Sequence, residues 1–352
     1  MSAGKQVKVL VVDDSAVGRE LLVHILHGDP SIRVIGTAAN GLQALQEVER
    51  LRPDVITMDI VMPQMDGLEA TRRIMAKAPL PIIIVSGTVN RREVSTTFEA
   101  LKAGAVAAIP RPGGPGTPDY AVAARELNRT VKAMAEVRLV RRWSDAVSAA
   151  AGVPVPDPPV GRKAEVVAIG ASTGGPEALR RILELLPADF PLPVLVAQHM
   201  AAGFLDGLAQ WLDRASPLAV RLSFEGEAIR PGQVYIAPDD RHLGISQDRR
   251  LVLSDAAPEK GVRPAVGFLF RSVQQRYCSQ AIAILLTGMG DDGAREMLQL
   301  RQAGAVTIAQ DRESSVIHGM PGEAVRLGAA LHQLPPAQIA HYLREAIKGQ
   351  GR

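Results

Sequence analysis

Residues 166–179 read Val166-Val167-Ala168-Ile169-Gly170-Ala171-Ser172-Thr173-Gly174-Gly175-Pro176-Glu177-Ala178-Leu179, and this stretch organises the second half of the chain. An apolar run stops at glycine, a serine follows, and two more glycines lead to a proline that suits the first turn of a helix. The pattern predicts a strand, a tight turn and a helix. A serine at the carboxyl end of a parallel strand lies where α/β sheets bind ligands, and the helix that follows offers backbone N–H groups to a developing negative charge. Taken alone, the stretch also fits a structural strand-to-helix turn.

The chain is long enough for two domains. It has 352 residues, of which 47% are hydrophobic and 22% are charged, as is usual for globular proteins. Strand-like and helical patterns alternate in both halves, which predicts an α/β fold throughout. We expect a first domain over residues 7–130, a linker over 131–162 and a second domain over 163–350.

Composition excludes several classes of function. No apolar run approaches the roughly 18 residues of a membrane span, and the N-terminus leads straight into a strand, so we expect a cytoplasmic protein without membrane insertion. Cys278 is the single cysteine, which rules out an internal disulfide. A net charge of +3 and an aromatic content of 3% do not support binding to nucleic acid.

The first domain is predicted to be a doubly wound parallel sheet of five strands. Helical patterns such as Ala16–His27 and Gly41–Arg50 separate the apolar runs. The five runs are Val7–Val12, Val34–Ala38, Val55–Met58, Ile82–Val85 and Val106–Ile109.

Acidic residues follow two of these strands. Asp13 and Asp14 come after the first strand and Asp59 after the third, so that three carboxylates converge at one edge of the sheet. Hard oxygen ligands suit Mg²⁺, and a carboxylate beside that ion can accept a phosphoryl group, which makes Asp59 the candidate acceptor. Each acid alone could equally be a helix cap or a solvated loop residue.

Three segments resemble the receiver domain of two-component response regulators. They are Val9-Leu10-Val11-Val12-Asp13-Asp14-Ser15, Met58-Asp59-Ile60-Val61-Met62-Pro63-Gln64-Met65-Asp66-Gly67 and Val85-Ser86-Gly87. The resemblance implies that the acids hold Mg²⁺, that Asp59 is phosphorylated by a histidine kinase, and that Ser86 contacts the phosphoryl group.

The chain departs from this family at two positions. Arg111 stands where the family has a lysine that contacts the phosphoryl group, and a guanidinium differs from an ammonium in reach and geometry. Ala108 stands where relatives carry a switch aromatic. We therefore expect phosphorylation at Asp59, with signal transmission that differs from the family pattern.

The connector combines a helical pattern with a proline-rich segment. The helical pattern runs over Arg129–Trp143, and Pro154-Val155-Pro156-Asp157-Pro158-Pro159 predicts an extended, semi-rigid linker. Arg138, Arg141 and Arg142 share one helical face, which is either solvated or a docking face for an acidic partner.

The second domain is predicted to be another α/β sheet. Its strand-like runs are Val166–Ile169, Val194–Ala197, Val234–Ile236, Ile282–Leu286 and Val306–Ile308. Three of these runs end in reactive residues: Ser172, then His199, then the neighbours Asp291 and Asp292. A nucleophile, its base and the acid that orients the base must lie close together, and the carboxyl ends of strands in one sheet bring them together. Physical reasoning does not separate Asp291 from Asp292.

Other residues fit the catalytic roles less well. His242 and His318 are the remaining candidate bases, but each lies in a loop-like segment and is expected to be structural.

The second half resembles the catalytic domain of the CheB family of chemoreceptor protein-glutamate methylesterases. Besides residues 170–176 and Gln198-His199-Met200, the similar segments are Gly232-Gln233-Val234-Tyr235-Ile236-Ala237-Pro238, Leu269-Phe270-Arg271-Ser272-Val273, Leu286-Thr287-Gly288-Met289-Gly290-Asp291-Asp292-Gly293 and Thr307-Ile308-Ala309-Gln310-Asp311. The resemblance makes Ser172 the nucleophile, His199 the base, Asp292 the orienting acid and the backbone N–H of Met289 an oxyanion donor. The chain departs from this family at Ala265 and Gly267, where relatives usually have serine and aspartate.

The resemblance implies a function and partners. The substrates are methylated glutamates on the cytoplasmic helices of chemoreceptors, hydrolysed without a cofactor, and certain receptor glutamines can be deamidated by the same chemistry. The phosphodonor is a chemotaxis histidine kinase, and phosphorylation at Asp59 relieves a block of the active cleft by the receiver. A receiver joined to a non-catalytic docking domain and a DNA-binding response regulator are the alternatives. The first leaves the serine, histidine and aspartate without a role, and charge distribution and the α/β pattern oppose the second.

Overall fold

The computed structural model describes residues 6–87, 91–137 and 164–348, with only the backbone described for residues 91–93. The chain divides into two compact units, Met1–Ser144 and Asp145–Arg352, which are treated separately below. The predicted linker over 131–162 lies mostly outside the described residues, as do Arg138, Arg141 and Arg142.

The first unit is a five-stranded parallel sheet in the order β2-β1-β3-β4-β5, which confirms the doubly wound prediction. Its strands are β1 (Val7–Val12), β2 (Ile32–Ala38), β3 (Val55–Met58), β4 (Ile82–Ser86) and β5 (Ala107–Pro110). Its helices are α1 (Ala16–His27), α2 (Gly41–Leu51), α3 (Gly67–Lys77), α4 (Arg91–Lys102) and α5 (Tyr120–Ala135).

Side-chain caps begin three of these helices. Ser15, Asn40 and Asp66 precede α1, α2 and α3, and each side chain accepts a hydrogen bond from a backbone N–H of the first turn. Helix α1 has the predicted bounds. Helix α5 ends at Ala135, so the helical pattern predicted as far as Trp143 stops earlier or falls outside the described residues.

The second unit is built on a seven-stranded sheet in the order β14-β13-β12-β6-β7-β9-β8, in which every pairing is parallel. Its strands are β6 (Val166–Ala171), β7 (Val194–Gln198), β8 (Ala219–Leu222), β9 (Gln233–Ile236), β12 (Ala281–Leu285), β13 (Val306–Gln310) and β14 (His332–Leu334). The strands β10 (His242–Ile245) and β11 (Leu251–Ser254) form a separate antiparallel pair.

Helices separate these strands. They are α6 (Gly175–Leu183), α7 (Leu205–Ala215), α8 (Val266–Tyr277), α9 (Ala294–Gln302), α10 (Met320–Arg326) and α11 (Pro336–Lys348), with a 3₁₀ turn over Cys278–Gln280. Among the described helices, none joins the length and the apolar character that crossing a membrane requires.

The sequence missed four strands of the second unit. The edge strands β8 and β14 have only four and three residues and are partly exposed, so neither makes a continuous apolar run. The β10–β11 pair was missed because His242 and Gly244 interrupt the apolar residues of β10, and only three apolar residues, ended by Ser254, make up β11. His242 therefore begins a buried strand, and the prediction that it lies in a loop was wrong.

Neighbouring strands carry the predicted reactive residues. Strand β6 lies between β12 and β7, and its register places Ala171 beside Gln198 and Gly170 beside Leu285. All three strands are completely buried, so the sheet gives their carboxyl ends a common, rigid edge.

Candidate functional sites

Ser172 lies in the turn between β6 and α6. Its backbone N–H donates to the carbonyl of Thr287 at 3.0 Å, and its own carbonyl accepts from Gly175 at 2.8 Å. The buried Gln198 side chain donates to the same carbonyl at 2.8 Å. Gly174 has a φ of +80°, a conformation that favours glycine. The hydrogen bonds of Ser172 therefore fix one side of the turn, and Gly174 supplies the backbone conformation of the other.

His199 and Asp292 form a direct pair. Nε2 of the imidazole lies 2.8 Å from Oδ2 of Asp292, and the two side chains are only 11% and 7% exposed. The pairing engages Nε2, and Nδ1 makes no hydrogen bond with any residue that the structure describes. Ser172 and His199 each follow one residue after the registered pair Ala171 and Gln198, at the same edge of the sheet. The hydrogen bonds between described residues include none from the Ser172 hydroxyl to the imidazole, and such bonds are often long before substrate binds.

Two backbone N–H groups fix the carboxylate of Asp292. Val266 donates to Oδ2 at 2.7 Å and Gly267 donates to Oδ1 at 3.0 Å. Burial favours the neutral acid, but the hydrogen bond and charge of His199 and the two N–H groups outweigh it, so the pKa of Asp292 lies below its ordinary value. The acid is therefore ionised and can orient the imidazole.

The structure separates the two neighbouring aspartates. Asp291 is 51% exposed and pairs with Lys260 at 2.8 Å, whereas Asp292 is buried against the imidazole. The family pattern and the geometry therefore select the same residue as the partner of His199.

The departures at Ala265 and Gly267 leave these backbone contacts intact. The N–H of Ala265 donates to Nδ1 of His242 at 3.1 Å, and a Cβ on Gly267 would lie 3.1 Å from Oδ1 of Asp292. Because Gly267 has no side chain, the carboxylate of Asp292 can lie close to its backbone. The contacts of this segment with Asp292 are therefore made by its backbone.

The other two candidate bases, His242 and His318, have partners of their own. His242 is fully buried, stacks on Phe268 with ring centroids 4.7 Å apart, and lies 3.2 Å from the carbonyl of Ala257. Nδ1 of His318 lies 3.3 Å from the Ser315 hydroxyl. The geometry of His242 fits a structural residue, whereas His318 also forms a backbone bridge with Gly288.

The turn that carries Met289 packs against Ser172. A Cβ on Gly288 would lie 2.5 Å from Cβ of Ser172, so only glycine allows this approach. The carbonyl of Gly288 accepts from Gly319 and Met320 at 3.1 and 2.9 Å. Within the described part of the chain, no group accepts a hydrogen bond from the N–H of Met289. Met289 is the residue after Gly288, which contacts Ser172.

Sequence reasoning missed two residues that hold this turn. The Thr287 hydroxyl lies 2.9 Å from the carbonyl of Thr173 and accepts from the N–H of Ile317 at 3.0 Å. The Gln310 amide oxygen accepts from the N–H of Thr287 at 2.8 Å. Both residues belong to motifs quoted above, but their buried hydrogen bonds join segments that are distant in the sequence.

The first unit brings its predicted acids together. Carboxylate oxygens of Asp13, Asp14 and Asp59 all lie within 4.8 Å of one another. Ser86 ends β4 and is 1% exposed, and its carbonyl accepts from the N–H of Arg111 at 2.9 Å. These residues lie at, or just after, the carboxyl ends of four neighbouring strands, at one edge of the sheet.

Arg111 contacts two of the acids. Its Nη2 lies 3.1 Å from Oδ2 of Asp13 and 2.9 Å from Oδ2 of Asp59. Burial raises the pKa of Asp59 to about 6 and also raises that of Asp13, and the positive charge of Arg111 opposes both shifts. The acidic pocket formed by Asp13, Asp14 and Asp59 thus holds more negative than positive charge.

An oxygen cluster of this kind fits Mg²⁺. Oδ2 of Asp13 is buried and makes no hydrogen bond, so its contact with Arg111 is one of charge alone. Hard carboxylate oxygens without nitrogen or sulfur ligands are the donor set that Mg²⁺ prefers.

The fold and the two sites define a response regulator with an α/β effector domain. The protein-family model of the response regulator receiver domain matches residues 9–117. The protein-family model of the CheB methylesterase matches residues 167–343. The chain belongs to the CheB methylesterase family.

Relatives match over nearly their whole length. A Geobacter metallireducens protein named protein-glutamate methylesterase/protein-glutamine glutaminase 4 is 53% identical over 95% of this chain and 96% of its own length. A Syntrophus aciditrophicus protein of the same name, numbered 1, is 50% identical over 96% of this chain and 97% of its own. The crystal structure of the Thermotoga maritima CheB methylesterase catalytic domain is 41% identical, with a TM-score of 0.51, and the match covers 52% of this chain and 98% of that domain.

Proposed function

We propose that this protein hydrolyses methyl esters of glutamate side chains on proteins, with Ser172, His199 and Asp292 as its catalytic residues. The observation that carries the proposal is the buried His199–Asp292 pair at the strand edge beside Ser172. A histidine oriented by an ionised acid is what activates a serine.

The reaction follows from these positions. Nδ1 of His199 takes the proton of the Ser172 hydroxyl as Oγ attacks the ester carbonyl. The C–O bond to the methoxy group then breaks, and methanol leaves with the proton from His199. Water, deprotonated by the same nitrogen, attacks the acyl-serine and releases a free glutamate and the serine hydroxyl.

Met289 supplies the oxyanion contact in this mechanism. Its N–H group lies in the turn packed against Ser172 and can donate to the negative oxygen of the tetrahedral intermediate. A single donor of this kind contributes about 10²–10³ in kcat in related chemistry.

Replacement of the serine tests the catalytic proposal. We expect Ser172→Ala to abolish methanol release from methylated receptor membranes, because no acyl-enzyme can form. The matched control is Ser279→Ala, since Ser279 is exposed and precedes β12 at the opposite edge of the sheet. Near-normal methanol release by Ser172→Ala would remove Ser172 from its role.

The proposed substrates are chemoreceptors. We infer, from the family, that the chain acts in the cytoplasm on methylated receptor helices and receives its phosphoryl group from a chemotaxis histidine kinase. Deamidation of receptor glutamines would use the same acyl-serine with ammonia as the leaving group, and the names of the relatives support it. The esterase chemistry needs no cofactor.

We propose a phosphoryl-acceptor role for the first unit, with bounds near residues 7–130 for the receiver and 163–350 for the esterase. Asp59 is the acceptor, and Asp13, Asp14 and Asp59 would hold Mg²⁺. That ion neutralises phosphoryl oxygens when bound. Ser86 and Arg111 would contact the phosphoryl group from the neighbouring strand ends.

A non-catalytic docking domain remains the alternative to test. An activated ester separates the two hypotheses, because an acyl-forming enzyme releases a burst of alcohol equal to its concentration before the steady state. A protein that only binds receptors gives no burst.

A further inference from the structure

Arg111 and a bound metal ion would use the same oxygen atoms. Each of the two buried acids has one oxygen engaged by the backbone: the N–H of Ser15 donates to Oδ1 of Asp13 at 2.9 Å, and the N–H of Ile60 donates to Oδ1 of Asp59 at 2.8 Å. Both remaining Oδ2 atoms face Nη2 of Arg111 at 3.1 and 2.9 Å.

The missing side chain of Gly18 leaves space for the guanidinium of Arg111. A Cβ on Gly18, near the start of α1, would lie 3.2 Å from Nη1 of Arg111 and 3.0 Å from both carboxylate oxygens of Asp13. The N–H of Arg111 is also anchored to the carbonyl of Ser86 at 2.9 Å. The position of Arg111 in the pocket is therefore defined by its backbone, by Gly18 and by two acids.

We propose that Arg111 is a resident cation of the acidic pocket and competes with Mg²⁺ for Oδ2 of Asp13 and Asp59. This inference rests on the proposed receiver function and names a regulator of its metal site. One planar guanidinium bridges two carboxylates, which a lysine ammonium does with less geometric restraint. Arg111 must leave these oxygens when the metal binds, and it is then free to meet the phosphoryl group.

Competition makes the affinity for Mg²⁺ depend on the side chain at position 111. Arg111→Met keeps an unbranched apolar stem and removes the charge, so the two Oδ2 atoms have no resident cation. We expect the Kd for Mg²⁺ to fall by about tenfold, which corresponds to a coupling of about 1.4 kcal/mol. Arg111→Lys should give a Kd between those of the wild type and Arg111→Met.

The measurement is calorimetric titration of the full-length, chelator-treated protein with MgCl₂. Arg33→Met is the matched control, because Arg33 is an exposed arginine at the start of β2, and its Kd should equal that of the wild type. Thermal unfolding with and without Mg²⁺ gives a second readout, since a tighter ion raises the unfolding temperature more. This readout also detects an Arg111→Met variant that fails to fold.

The possible outcomes are distinguishable. Equal or weaker Mg²⁺ binding by folded Arg111→Met would overturn the competition while leaving the metal site in place. Absence of Mg²⁺ binding in the wild type and in all three variants would overturn the proposed receiver site itself. Neither result bears on methanol release by Ser172.

Discussion

Asp291 and Asp292 are adjacent aspartates with opposite surroundings, and they provide the sharpest test of a single residue. Asp292→Asn keeps the shape of the acid but removes the charge that orients the imidazole, so we expect kcat to fall by about 10³–10⁴. Asp291→Asn is the matched control, because that side chain is exposed and paired with Lys260. The measurement is the rate of methanol release, and equal effects of both substitutions would contradict the assignment.

Thr287 is a residue whose importance lies in its hydroxyl group. Thr287→Val leaves the N–H of Ile317 and the carbonyl of Thr173 without this partner, so the turn before Met289 loosens. We expect kcat to fall roughly tenfold or more with little change in KM, since the hydroxyl positions the oxyanion donor and does not contact substrate. Thr287→Ser should restore most of kcat in the same assay. Equal losses in the two variants would rule out a role of the hydroxyl.

The start of helix α3 determines the shape of the loop between β3 and α3, which begins at Asp59. A Cβ on Gly67 would lie 2.0 Å from the carbonyl oxygen of Asp59, a contact that the backbone cannot accommodate without moving. We expect Gly67→Ala to abolish labelling of Asp59 by a small phosphodonor. Gly114→Ala is the control, because a Cβ there meets nothing within 4 Å. Normal labelling of Gly67→Ala would show that the loop tolerates the shift.

An ion pair links the end of α1 to α5. Asp29 Oδ2 lies 2.6 Å from Nζ of Lys132, and the hydrogen bonds from Lys132 and Ser31 lower the pKa of Asp29 to about 2. A lowered pKa stabilises the folded state above the ordinary value near 3.8, and this contribution is lost as the pH falls towards 2.

Lys132→Met should reduce the free energy of unfolding of the first unit only slightly. The pair lies at the surface, so we expect a loss of about 0.2–1 kcal/mol at pH 7. The difference from the wild type should shrink between pH 4 and pH 3 in urea denaturation, because Asp29 takes up a proton in the unfolded state over this range while it stays ionised in the folded state. A difference that grows on acidification would contradict the sign of the pKa shift.

The chain as a whole is expected to couple its two chemistries. We expect the methanol release of the wild type to increase with a small phosphodonor and Mg²⁺, and the ratio of stimulated to unstimulated rate to fall to 1 in Asp59→Asn. Asp119→Asn, an exposed aspartate of the first unit, is the control and should keep the stimulation. Stimulation that persists in Asp59→Asn would separate regulation from this acceptor. Ala108, which the resemblance places at the family's switch position, is half-buried in β5.

Local sequence patterns were sufficient to predict both parallel sheets and the residues at their carboxyl edges. Apolar runs and the polar residues that end them are features of short segments, so the positions of Asp13, Asp59, Ser172 and His199 at those edges could be predicted from the amino-acid sequence alone. Short, half-exposed strands such as β8 carry little of this local signal and were missed.

Which groups meet at those edges was established by the tertiary structure. It paired His199 with Asp292 rather than Asp291, placed the N–H groups of Val266 and Gly267 on that carboxylate, and set Arg111 across two acids. The physical reason is that these contacts join segments distant in sequence. Their geometry depends on register, loop path and burial together, and no local pattern of residues encodes all three.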